Sequence, residues 1–179
     1  MRRHLLIFAL LMAQAVATTV KPLSVEELTA KSSDVVVARA ASSYSQWNPE
    51  RTRIYTYTRF QVARGLKGAA GYEVTVKQLG GSADGYTQKI AGVRHWKAGE
   101  QVVLFLKPSA SADGTMVVTG LFQGSFSVRR DPTGELVVSN GVSDATQYDP
   151  KRGSVGPYKG ARLKLSELEA RVTRAAGRR

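Results

Sequence analysis

The sequence predicts a mainly β protein: a small antiparallel barrel with a short helix near its start and a second helix at its end. Three observations carry this. Several stretches alternate apolar and polar residues with period two, the signature of half-buried strands. Turn sequences rich in Gly, Pro, Asn and Asp separate those stretches. No alternation of strand with helix, of the kind that builds a parallel sheet, occurs along the chain.

The elements follow in order. Arg2 and Arg3 precede an apolar run from Leu5 to Met12, which is too short for a membrane-spanning helix. Ala15-Val16-Ala17 then fits the small-x-small cleavage pattern, so residues 1–17 are expected to be a signal peptide and Thr18 the first mature residue. A second, weaker site after Ala15 would leave Val16 first. Ser24 is a good N-cap and Glu27 completes a capping box, which predicts a helix over Ser24 to Lys31. Asp34 to Ala40 is β-branched and apolar, a strand. Ser45 to Arg51 reads as a polar loop around Asn48-Pro49.

Arg53 to Val62 alternates, with Ile54, Thr56, Thr58, Phe60 and Val62 on one face and Tyr55, Tyr57, Arg59 and Gln61 on the other. The Gly-Leu-Lys-Gly turn and the alternating run from Tyr72 to Lys77 complete a hairpin. A loop of about twenty residues opens at Gly80-Gly81 and holds His95-Trp96; loops this long are often functional or mobile. Gln101 to Leu106 is apolar on both faces and reads as a central strand. Thr115 to Phe122 returns, and a second hairpin turns at Asp131-Pro132-Thr133-Gly134. Residues 141–162 contain Gly, Pro and Lys without periodicity and read as an irregular linker. Residues 163–179 read as a basic amphipathic helix, with Leu165, Leu168 and Val172 at helical spacing. The expected organisation is a signal peptide over 1–17, a barrel domain over 18–140, the linker and the helix.

Composition bounds the function. The chain has no Cys, so a lipid-anchored lipoprotein and thiolate zinc sites are excluded. An exported protein without disulfides suits a bacterial periplasmic or secreted location. Lys and Arg number 26 against 14 Asp and Glu, a net +12 that becomes +10 when Arg2 and Arg3 are removed with the leader. Such a charge favours anionic partners, from envelope polyanions to an acidic protein. The one dense basic cluster is Arg171, Arg174, Arg178 and Arg179.

Catalytic signals are scarce. After cleavage His95 is the only His, no G-x-S-x-G elbow occurs, and the glycines of Gly80 to Gly85 lack the Lys-Ser/Thr of a phosphate loop. A glycosidase-type pair of carboxylates is the one enzymatic chemistry that residue types alone leave open. No cofactor is implied. His95 and Trp96 offer either a contact surface or, as packing favours, a Trp plugging the barrel's end. Tyr55, Tyr57, Arg59 and Lys77 form an aromatic and basic face of the kind that stacks single-stranded nucleic acid. Ordinary cross-strand packing accounts for it better, and an exported protein meets little nucleic acid.

Three further phrases sit in order along the chain: Ser33-Asp34-Val35-Val36-Val37 behind a Pro-containing arm and a short helix, then Leu66-Lys67-Gly68, then Gly99-Glu100 before the strand at 101–106. Over residues 18–130 this arrangement resembles the tissue inhibitors of metalloproteinases and related netrin-like modules. It is also similar to a class of bacterial exported proteins with the same Leu-Lys-Gly and Gly-Glu-x-x-x-Leu-Phe-Leu phrases. The resemblance implies an OB-like barrel and a non-catalytic inhibitor of a secreted zinc protease. In that family the mature N-terminal Cys chelates the target's zinc and disulfides lock its arm; here Thr18 stands first and no Cys exists. By that resemblance Thr18, Thr19, Val20, Lys21 and Pro22 are candidate contacts; His95 and Trp96 are the candidates that the long loop offers. The alternative function is a basic module binding an anionic envelope component.

Overall fold

Ser24 sets the first helix, α1 (Val25–Lys31), by the capping box its sequence announces: its hydroxyl accepts from Glu27 N while the Glu27 carboxylate accepts from Ser24 N. The structure is a computed structural model and describes residues 18–69, 71–111 and 113–177. The expected signal peptide lies outside the described residues, as do Arg178 and Arg179 of the basic cluster.

Ahead of α1 lies a short strand, β1 (Thr18–Val20). After it come β2 (Asp34–Trp47), β3 (Ile54–Lys67), β4 (Glu73–Leu79), the small hairpin β5 (Gly81–Ala83) and β6 (Tyr86–Gln88), β7 (Gln101–Pro108) and β8 (Met116–Val118). The chain ends with β9 (Ser125–Arg130), β10 (Leu136–Ser139), β11 (Ala145–Asp149), β12 (Ser154–Pro157), β13 (Arg162–Lys164) and α2 (Leu165–Ala176).

Five of these strands close on themselves. β2 pairs with β3, β3 with β4, β4 with β8, β8 with β7, and β7 with β2. Among the described residues, the β4–β8 contact is the parallel one of these five pairings. Along the chain the ring runs first, second, third, fifth, fourth, so the protein is a closed five-stranded, OB-like barrel with a helix near each end. β7 also pairs with β9 and extends the sheet through β10 to β13.

The two-faced apolar pattern of β7 has a direct cause. Val102, Leu104 and Leu106 point into the barrel with Val36, Phe60, Val76 and Trp96. Val103 and Phe105 point the other way, into a second core with Phe126, Val138 and the buried faces of α1 and α2. Leu28, Leu168 and Val172 are fully buried there, each such side chain contributing roughly 1.5–3 kcal/mol. The C-terminal helix therefore shares a core with the barrel.

Two expectations are corrected. The loop expected from Ser45 is strand as far as Trp47, because Ser43 and Ser45 exchange hydroxyl hydrogen bonds with Thr58 and Thr56 across the β2–β3 ladder, at 3.0 and 2.9 Å. The linker expected over 141–162 is largely ordered: β11 and β12 form a hairpin, and β1 joins β11 in parallel to make a three-stranded sheet. Its anchors are Phe122, Ala145 and Tyr158, with Phe122 and Tyr158 edge to face at 4.9 Å. Few apolar residues suffice because the contacts are long-range, and such contacts leave no local periodicity.

Candidate functional site

The N-terminal arm is fastened along its length. The β1 backbone pairs with β11 from Thr18↔Ala145 to Val20↔Gln147, and Thr19 and Thr146 share a hydroxyl hydrogen bond of 2.8 Å. The buried Gln123 amide then clasps the next turn: its Nε2 donates to Lys21 O and its Oε1 accepts from Leu23 N. Pro22 between them is exposed. The arm's main chain is thus engaged in the fold.

Trp96 is 3% exposed and fills the barrel interior, edge to face with Phe60 at 5.0 Å. His95, next to it, faces outward, and its Nε2 lies 3.3 Å from Leu79 O. Burial pushes the His95 pKa down, against the opposing pull of that contact, so the ring is neutral near pH 7. Trp96 and the arm are apart in role: one plugs the barrel, the other edges the small sheet.

Tyr55, Tyr57 and Lys77 do come together. β3 and β4 place Tyr55 opposite Leu79 and Tyr57 opposite Lys77. The Lys77 ammonium sits 4.7 Å from the Tyr55 ring and 5.6 Å from the Tyr57 ring, while Tyr44 stacks on Tyr57 at 5.2 Å. Arg59 points along the same face but pairs with Glu73 at 3.5 Å. Lys77 and Tyr44 occupy part of these ring faces, which leaves less of them for stacked bases. Lys77 also donates to Ser111 Oγ and Asp113 Oδ2, at 2.9 and 3.1 Å. Burial works to lower its pKa, but Asp113 and Tyr57 outweigh it and hold the ammonium charged. The Thr115 hydroxyl and Lys77 together bring the Asp113 carboxyl down to about 2.

Beside this face the barrel opens. β4 and β8 pair at one register position among the described residues, Val76↔Met116, and then diverge. Between them lies a groove of about 550 Å³. One wall is Tyr55, Lys77, Gln78 and Leu79; the other is Lys107 to Ser111 with Val117, Val118 and Leu121; Ile90 and Val93 of the long loop close one end. Gln78 Oε1 is a buried acceptor without a hydrogen-bond partner. Lys107 is exposed and has no acidic partner among the described residues. Leu121 is 54% exposed at the groove and is held at φ 62°, a conformation that costs a branched side chain roughly 1–2 kcal/mol. The sequence reading reached one wall of this groove through the Tyr/Lys alternation. It missed Lys107, Gln78 and Leu121; for Leu121 the sequence signal is the Gly-rich turn Thr119 to Gly124.

Elsewhere the basic residues are partly consumed. Arg171 of the C-terminal cluster binds the Glu26 carboxylate through Nε and Nη2 at 2.9 and 2.7 Å, Arg64 pairs with Glu169, and Lys164 with Glu135. Among the described residues no group of three metal-ligating side chains converges, and no helix is long and apolar enough to cross a membrane.

Compared with models of known protein families and with curated proteins, the chain has no match.

Proposed function

We propose that this protein is an exported, non-catalytic binding module that takes a protein partner in the groove between β4 and β8. One observation carries the reading: a barrel closed on four seams is splayed on the fifth, and the opening is lined by apolar side chains with two lysines at its rim. A mostly apolar concavity with a few fixed polar groups is the usual form of a recognition site. The clasped arm favours the groove over residues 18–22 as the contact surface. An inhibitor of a secreted protease remains one form of this function, with the groove rather than the terminal amine meeting the target.

The absence of Cys makes the test direct. A photo-crosslinker is attached through Ala110→Cys at the groove, or through Lys151→Cys on the β11–β12 turn. Each protein is mixed with the exported protein fraction and irradiated. Adducts from position 110 alone are expected. Equal adducts from both positions, or none from 110, overturn the reading.

A further inference from the structure

The groove is bounded by strand edges as well as side chains, and this says what fits it. In an antiparallel ladder, alternate residues turn their N–H and C=O to one neighbour and the rest turn theirs away. Gly80 N donates to Ile54 O at 2.7 Å, and Val62 N donates to Tyr72 O at 2.8 Å. Both bonds fall on the same register as Tyr55↔Leu79. Even-numbered residues of β4 therefore face β3, and Lys77 and Leu79 turn their main-chain groups toward the groove. On that side β4 has a strand neighbour only at Val76 among the described residues. Val117 and Val118 likewise pair with β7 and with no strand across the groove. Leu79 O meets His95, so among the described residues Lys77 C=O and Leu79 N–H face no strand across this edge.

We infer that the occupant is an extended, acid-bearing peptide segment of a partner protein, added as a strand to the open edge of β4. The inference rests on the binding-module reading above and names the partner's chemistry. An edge of this kind recruits a strand through main-chain hydrogen bonds, and pockets for alternate side chains then give selectivity. Here the apolar walls receive one side chain of the incoming segment. Leu121, held outward in a strained turn, covers it from the solvent side. Lys107 supplies an unpaired positive charge for a carboxylate. A second copy of this chain is disfavoured by charge, since both copies carry the same strong positive excess.

The test pans a random dodecapeptide library against the immobilised protein and measures the recovered peptides by calorimetry. Recovered sequences are expected to alternate apolar residues and to carry Asp or Glu. N-methylation of alternate peptide amides should weaken binding about tenfold or more, and bound peptide should slow hydrogen exchange at Leu79. Lys107→Glu, an exposed change that leaves the fold intact by circular dichroism, should weaken acidic peptides about tenfold and favour Lys-substituted ones. Peptides that compete with crosslinking from position 110 but tolerate every N-methylation overturn strand addition and leave the binding module standing. Indifference to Lys107→Glu overturns the acidic assignment. A failure of both peptides and exported proteins to engage position 110 removes the binding module itself.

Discussion

The barrel has two kinds of seam. β2 and β3 meet in twelve register positions, from Val35↔Lys67 to Trp47↔Ile54, and bind further through Ser43–Thr58, Ser45–Thr56 and the stacked Tyr44 and Tyr57. β4 and β8 meet in one. Both seams close the same ring around the same core, so the difference is not forced by closure. Backbone groups that pair with each other are unavailable to a ligand, and those left open invite one. The long seam holds the ring together, and the short one is the edge at which we propose that a partner binds. The strained Leu121, the unpartnered Gln78 Oε1 and the free Lys107 charge all gather at the short seam.

The largest effect should come from breaking what both seams share. Phe60 is fully buried against Trp96 at the centre of the barrel. Phe60→Ala should cost about 3–5 kcal/mol, read as a fall in the urea midpoint. A loss under about 1 kcal/mol would mean that the interior collapses around the gap, and that the ring is held elsewhere. The seams themselves separate by native-state hydrogen exchange. Amides of the β2–β3 ladder should exchange only through opening near the global free energy. The amides of Leu79 and Val118 should exchange through local motion at a small fraction of it. Equal protection at both seams would erase the contrast.

How far this contrast was legible in the sequence depends on distance along the chain. The strands of the long seam are adjacent in sequence and joined by a turn, so alternation and the Asn48-Pro49 signal found them, though the polar Ser42 to Gln46 hid the strand's true length. The two-sided core of β7 was legible because Val102 to Leu106 is apolar without a break. The short seam was not. β8 is three residues, too few for a period, and its parallel partner lies forty residues earlier. The hold of β11 on the arm spans a similar void: Thr19 and Thr146 are 127 residues apart. Tyr55, Tyr57 and Lys77 were found as a face, but the opposite wall of the groove exists only once the ring has closed.

A smaller effect should come from relieving the strain at the short seam. Leu121 has φ 62° and more than half of its surface in solvent. Leu121→Gly removes the steric cost of the left-handed conformation, against which glycine's greater freedom in the unfolded chain weighs. The variant should be about 0.5–1 kcal/mol more stable while binding the recovered peptides more weakly. Stability gained at the expense of binding is the mark of strain kept for function. A variant that is less stable would place Leu121 among the packing residues instead.

The smallest expected effect lies on neither seam, at the clasp between the helices over the outer core. Arg171 binds Glu26 with two hydrogen bonds, and chiefly for that reason the Glu26 carboxyl is lowered from 4.5 to about 2. A carboxylate whose folded pKa is depressed lends stability above its unfolded value. That contribution should therefore be whole above pH 4.5 and fade as pH falls from there through about 2. Nearly half of the Glu26 side chain is exposed, so solvent screens the pair and its worth is about 0.2–1 kcal/mol. Glu26→Gln should lower stability by that much at neutral pH, less in high salt, and the two proteins should converge in strong acid. The exchange rates of Leu79 and Val118 should be the same in both at neutral pH, because the clasp sits on the face of β7 opposite the barrel interior. If the substitution also loosened those amides, the helices and the short seam would be one cooperative unit, and the weak closure of β4 on β8 would be a property of the whole fold rather than of that edge.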